Sequence, residues 1–253
     1  SEVYQSVYRV ATLCGEGSVD QKIDLLSALF LQLSPTEAKY VARFVAGKLR
    51  LGVGDATILE ALALSKETGP LRGNKTALDR AYHLTSDLGL VAKTLYELGD
   101  AGIAALSVTL GFPIRPALCE RLSSPEDIIE KIGPCVAEIK YDGFRCQAHK
   151  SQNDVVLFSR NQERTTPMFP EIVEAIKTIF SGQEVILEGE ALAFNEITGE
   201  LFPFQITLQR KRKHNIDEMA KSLPLKFFVF DLLYLNGIDY THFSYTDRRK
   251  KLI

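Results

Sequence analysis

The sequence predicts two fold classes in succession: an all-α domain, then an α+β domain with antiparallel sheets. Two observations predict this. As far as about residue 110, apolar residues recur at helical spacing and period-two alternation is absent; after a short helix near 125–131, runs rich in Val, Ile, Phe and Leu take over from residue 136. Between them stands Gly111-Phe112-Pro113-Ile114-Arg115-Pro116, whose prolines stop helices and favour an extended linker. The expected domains are 1–112 and 113–253.

The elements follow in order. Val3, Val7, Val10, Ala11 and Leu13 form one helical stripe that ends at Gly15. Ser18 and Asp20 open a second helix containing Ile23, Leu25, Leu26, Leu29, Phe30 and Leu33. Ser34-Pro35 supplies an N-cap and a proline at the first helical position, and Ala38, Val41, Ala42, Phe44 and Val45 follow. Gly52 and Gly54 break the pattern, and Asp55 caps a fourth helix through Ile58, Leu59, Leu62 and Leu64. Further helices are expected over 75–86, 88–98, 125–131 and 170–180. Strands are expected over 136–140, 144–149, 155–159, 184–194 and 226–235.

The composition narrows the class. The chain has 253 residues, 45% hydrophobic and 25% charged, enough to bury real cores. A net charge of -2 neither supports nor excludes a nucleic-acid partner, which needs only a local basic surface. Cys14, Cys119, Cys135 and Cys146 lack metal-site spacing and read as reduced thiols of an intracellular protein. No apolar run is long enough to span a bilayer and no signal peptide is visible. The chain opens inside a helical pattern without an initiator Met, which reads as a fragment.

The chemistry-bearing passage is Glu138-Ile139-Lys140-Tyr141-Asp142-Gly143-Phe144-Arg145. A lysine at the end of a buried strand can attack the α-phosphorus of a nucleoside triphosphate once desolvation and nearby cations supply its neutral form. Asp142-Gly143 reads as a tight turn beside the phosphate. Arg145, on the next strand, offers a planar set of donors. Taken alone, the passage reads better as a hairpin with a solvent-facing lysine and arginine.

Other segments decide between the two. Lys140 to Arg145 resembles the Lys-x-Asp-Gly-x-Arg signature of the nucleotidyltransferases, which include ATP-dependent DNA ligases, RNA ligases and mRNA capping enzymes. Ser159-Arg160-Asn161, Leu187-Glu188-Gly189-Glu190-Ala191 and Phe228-Val229-Phe230-Asp231 resemble the motifs that follow it, in the same order. The resemblance implies that Lys140 carries AMP, that Arg145 and Arg160 lie near the ribose and phosphates, and that Glu190 faces the ribose and helps hold Mg²⁺. It implies that Phe230 stacks on adenine and that Glu138 reads the adenine edge. Singly, Arg160 suits a loop, Glu190 a hairpin flank and Phe230 a core; in order, they point to function.

The helical part selects among these families. Phe44-Val45-Ala46-Gly47-Lys48-Leu49-Arg50-Leu51-Gly52-Val53-Gly54-Asp55 resembles the DNA-binding domain that precedes the adenylation domain of archaeal and eukaryotic replicative DNA ligases. Gly52 and Gly54 would let backbone N–H groups at a helix start face a DNA phosphate, with Lys48 and Arg50 adding charge. The basic run Arg210-Lys211-Arg212-Lys213 is a second candidate phosphate contact.

The resemblance implies a nick-sealing enzyme using ATP and Mg²⁺ on nicked duplex DNA, active in replication, repair and recombination. It would be a monomer with a sliding clamp as a candidate partner, in the cytoplasm if archaeal and the nucleus if eukaryotic. It further implies a truncated chain. A metal-binding carboxylate motif, a Lys-x-Lys motif and an oligonucleotide-binding barrel would lie beyond Ile253, so this piece would form the lysine–AMP adduct poorly. The alternatives are an RNA ligase or capping-type enzyme, or a non-catalytic DNA-binding module with a degenerate core.

Overall fold

The computed structural model describes residues 2–47, 51–65, 75–152, 154–211 and 215–253. The helices are α1 (Glu2–Thr12), α2 (Ser18–Leu31), α3 (Pro35–Val45), α4 (Asp55–Leu64), α5 (Lys75–Thr85), α6 (Leu88–Ala105) and α7 (Pro125–Ile132). There follow β1 (Phe144–Ser151), β2 (Asp154–Ser159), α8 (Pro170–Ile179), β3 (Val185–Ala193), α9 (Phe204–Thr207), α10 (Ile216–Ser222), β4 (Leu225–Leu235), β5 (Ile238–Asp239) and α11 (Tyr245–Leu252). The chain divides into two compact units, Ser1–Ile58 and Leu59–Ile253.

In the first unit the expected cap is present. Ser34 Oγ accepts from Glu37 N–H, and the Glu37 carboxylate accepts from Ser34 N–H in return, with Pro35 at the first helical position. The start of α4 corrects the sequence reading. The Gly54 carbonyl accepts from Thr57 and Ile58, so Gly54 stands at the cap and Asp55 lies in the first turn.

The second unit holds two cores joined by a third. Leu59, Ala63, Leu78, Ala81, Tyr82, Val91, Leu95 and Ile103 pack α4, α5 and α6 together. Helical backbone breaks at Gly99 (φ 63), one residue after the expected end, and resumes to Ala105. The sheet has strand order β2-β1-β3-β4-β5, antiparallel throughout. Its apolar face (Phe144, Cys146 and Ala148 of β1; Val185, Leu187, Ala191 and Ala193 of β3) buries Ile172 and Ile176 of α8. Alternation turns Arg145, Gln147 and His149, with Glu188 and Glu190, to the opposite face. A polar face on a central strand pair needs partners, and residues 111–116 supply many of them.

That stretch turns at Gly111 (φ 85), runs on through Pro113–Pro116 without regular secondary structure, and is fastened on both sides. Gly111 N–H donates to His149 Nδ1 at 3.2 Å, and both backbone groups of Ile114 bond the Gln147 amide at 2.7 and 3.1 Å. On the other side, the Pro113 carbonyl accepts from Ser86 Oγ, Arg115 N–H donates to the His83 carbonyl, and the Arg115 guanidinium covers the Tyr82 ring. Leu84, Val108 and Ile186 form a small core here with Ile114 against them. A sequence linker is thus a packed strap.

One expected strand is not formed. Residues 136–140 have no regular secondary structure and pair with no strand among the described residues, and Val136, Glu138, Ile139 and Lys140 are exposed. Their Val/Ile content suits a strand, but a strand requires a neighbouring edge, and β1 is already flanked by β2 and β3.

Candidate active site

A cleft of about 750 Å³ opens on the polar face of the sheet. Glu138, Lys140, Arg145, Arg160, Glu190 and Phe230 all line it, together with Cys119, Tyr141, Phe204, Leu208 and Lys211. This volume lies within the range of sites for small organic ligands. The sequence motifs, spread over more than ninety residues, therefore meet at one place.

Lys140 departs from expectation. Its side chain is exposed at the cleft rather than buried at a strand end, because residues 136–140 have left the sheet. Glu138 is also exposed, and its Oε1 accepts from Tyr245 Oη at 2.7 Å, which ties this segment to α11.

Gly143 anchors the segment to the sheet, though not as a left-handed turn. A Cβ there would stand 2.5 Å from the Ala191 carbonyl oxygen and 2.7 Å from Leu192 Cγ, so glycine is needed for close approach to β3. Its N–H donates to Glu190 Oε1 at 3.2 Å. Glu190 is half-buried, and burial pushes its carboxyl above the usual range, against the Gly143 bond and the charges of Arg145 and Lys140.

Glu188, two residues earlier, is a site residue that motif reasoning passed over. It is buried and takes Arg145 Nε at 3.0 Å and the Gln147 amide on its other oxygen. Burial pushes its carboxyl up, opposed by Arg145 and Gln147. The Arg145 guanidinium in turn lies 5.8 Å from the Phe230 ring centroid. The signal in the sequence was alternation: Glu188 shares the face of Glu190 on a strand whose other face is apolar.

Phe230 reaches the cleft through an irregularity. Asp231 pairs with Glu188 and Val229 with Gly189, so Phe230 is an extra residue without a partner on β3. Such a bulge re-aims a side chain. Gly189 opposite is occupied from its other face: a Cβ there would meet the Phe227 ring at 2.5 Å. Asp231 is held by Arg248 of α11 through bonds of 2.7 and 3.0 Å.

Arg160 sits exposed at the tip of a turn closed by Gln162 N–H to the Ser159 carbonyl at 2.8 Å. The basic run divides. Arg210 is a correction: it is 2% exposed, pairs with Glu171 and donates to the carbonyls of Leu223 and Met168, so it staples α8 to α10 and is closed to DNA. Lys211 lines the cleft and pairs with Glu163. Arg212 and Lys213 lie outside the described residues.

Of the expected DNA contacts, Lys48 and Arg50 also lie outside the described residues. Gly52 is exposed with left-handed backbone (φ 69), and Gly54 is exposed at the start of α4. Among the described residues no cluster of three or more metal-ligating side chains occurs, and no helix is long and apolar enough to cross a membrane. The cysteines are free, with Cys14, Cys119 and Cys135 exposed and Cys146 buried.

Comparison with known proteins agrees with this layout. Residues 116–253 match the family model described as ATP dependent DNA ligase domain, and residues 1–63 that described as DNA ligase N terminus. A helical N-terminal region therefore precedes an adenylation-type domain with an antiparallel sheet. The chain belongs to the ATP-dependent DNA ligase family. It is 49% identical to a probable DNA ligase of Dictyoglomus thermophilum over 99% of its length and 43% of that protein's. It is 45% identical to a DNA ligase of Sulfolobus acidocaldarius, over 99% of this chain and 42% of that one. For the DNA ligase of Caldivirga maquilingensis the figures are 44%, 100% and 41%. The chain thus spans about two fifths of the length of the curated relatives it matches. The ligase domain of M. tuberculosis LigD aligns over 46% of this chain and 34% of its own at 28% identity, with a TM-score of 0.38.

Proposed function

We propose that this chain supplies the helical DNA-binding domain (1–112) and the adenylation domain (113–253) of an ATP-dependent DNA ligase that seals nicks in replication, repair and recombination. The observation that carries the reading is the convergence of Glu138, Lys140, Arg145, Arg160, Glu190 and Phe230 on one cleft of nucleotide size. Phe230 offers adenine a flat apolar face and Glu138 an acceptor for its amino group. Glu190 takes the ribose hydroxyls, and Arg145 and Arg160 take the phosphates.

In the first step Lys140 Nζ attacks the α-phosphorus. The N–P bond forms as the bond to the bridging oxygen breaks, pyrophosphate leaves with the electron pair, and the amine releases its proton. A 5′-phosphate oxygen at the nick then displaces the lysine, giving a DNA-adenylate. Finally the 3′-hydroxyl attacks that 5′-phosphorus and AMP leaves. Arg145, held by Glu188 before the reaction, stabilises charge without reorganising. Glu190 is the residue that would hold Mg²⁺; one carboxylate with phosphate oxygens and water suits that ion, which would neutralise phosphate charge. Gly52 and Gly54 at the start of α4, with Lys48 and Arg50, are proposed to meet the DNA backbone.

The test is incubation of the full-length protein with α-labelled ATP and Mg²⁺, followed by a denaturing gel. Label should remain on the wild type, be lost in acid as a phosphoramidate is, and be absent from Lys140→Arg. Label retained by Lys140→Arg, or none on the wild type, would overturn the assignment.

A further inference from the structure

Arg145 lies on β1 and Arg160 on the turn after β2, yet both places lead back to the strap at 111–116. Arg145 is fixed by Glu188, Glu188 by the Gln147 amide, and Gln147 by both backbone groups of Ile114. The amide has no freedom to flip. Its oxygen accepts from Ile114 N–H and His149 Nε2, and its nitrogen donates to Glu188 and to the Ile114 carbonyl. Because His149 Nδ1 accepts from Gly111 N–H, its proton is on Nε2, facing Gln147.

Arg160 is reached by a second route. Gln162, which closes its turn, donates from Nε2 to Ser86 Oγ at 2.5 Å, and Ser86 Oγ donates to the Pro113 carbonyl. Ser86 (φ 55) and Gln162 (φ 65) both have left-handed backbone, uncommon outside glycine and kept only where surroundings enforce it. Pro113, Ile114 and Pro116 also wall a space of about 10 Å³ behind Arg145 and Arg160, room for no more than one water molecule. The arginines are thus backed by the strap itself.

We propose that Ser86 and Gln147 are positioning residues: by fastening the strap to the Arg160 turn and to Glu188, they set both arginines for the phosphates of the bound nucleotide. The inference rests on the nucleotide reading of the cleft. It makes the α5–α6 corner part of the apparatus that holds phosphate, although Ser86 does not line the cleft.

The test uses the full-length protein with Ser86→Gly and Gln147→Met, and compares equilibrium binding of ATP and of adenosine by calorimetry, with thermal unfolding as a control. Glycine accepts φ 55 freely, so Ser86→Gly removes the hydroxyl without straining the fold. Losing one such bond is expected to weaken ATP about fivefold. Adenosine, which has no phosphate for the arginines, should change less than about twofold. Methionine keeps the shape of Gln147 without its amide and should act the same way; if that variant unfolds, Ser86→Gly decides alone. Unchanged ATP binding in Ser86→Gly, or equal losses for ATP and adenosine, would refute the positioning role while leaving the nucleotide reading intact. A wild type that binds no ATP would remove the reading and this inference together.

Discussion

The Gly143 amide donates to Glu190 Oε1 at 3.2 Å, and at the same point the backbone passes so close to β3 that a Cβ would lie 2.5 Å from the Ala191 carbonyl oxygen. The segment carrying Lys140 is thereby set against the strand that carries Glu190. A methyl group must push this crossing apart. Gly143→Ala should cost about 1–3 kcal/mol of stability, as overpacking does, and abolish lysine–AMP formation even where the protein remains folded. Urea unfolding and α-label retention measure the two effects; a labelled, fully stable Gly143→Ala variant would contradict the account.

Phe230 gives the opposite balance. As an unpartnered bulge residue on the cleft it adds little to the sheet's pairing. Phe230→Ala should shift the denaturant midpoint slightly but weaken ATP by roughly tenfold, from lost stacking and lost apolar contact. Phe230→Tyr should restore most of the affinity. Equilibrium titration with ATP checks both variants.

Arg210 separates architecture from DNA contact. Arg210→Lys keeps the charge but cannot reach Glu171 and the carbonyls of Leu223 and Met168 together. It should lower stability by about 2–3 kcal/mol, since buried acceptors are left without donors. The slope of nicked-DNA affinity against salt should not change. A reduced slope in Arg210→Lys would return this residue to the phosphate contacts.

His149 predicts a pH dependence. Burial holds its imidazole down to about 4 from an ordinary 6.5. As pH falls below 6.5 the unfolded chain takes up a proton that the folded chain refuses, so stability falls until about pH 4 and no further, by up to about 3 kcal/mol. Glu188, pushed up by burial, runs the other way, since the folded state binds its proton first. The two separate when wild type is compared with His149→Gln. The stability difference between them should shrink from pH 7 to pH 4; a flat difference would exclude the imidazole as its source.

Most helices were legible because caps and periodicity are local. Ser34-Pro35-Thr36-Glu37 announces its helix, and Gly99 marks its break. The strands over 144–149, 155–159, 184–194 and 226–235 were legible from apolar runs. Residues 136–140 read as a strand by the same criterion and are not one, because pairing depends on a neighbour that composition does not reveal. The same limit hid the exposure of Lys140. Motif order named the cleft residues, but Glu188 and Gln147 became visible only through register, and the bulge at Phe230 only through the pairing of β3 with β4. Arg210 in a basic run reads as a phosphate contact, and only tertiary packing shows it inside.

The strap at 111–116 also bears on how such a molecule can move. Prolines between two kinds of structure suggest a pivot, yet swinging the helices of 59–110 away from the sheet there would strip Gln147, His149 and Ser86 of their partners at one stroke and strand several dry polar groups. Such a bend has no cheap first increment. Any articulation needed to embrace a substrate must be sought at other joints, and the corner most hinge-like on paper travels as a solid piece.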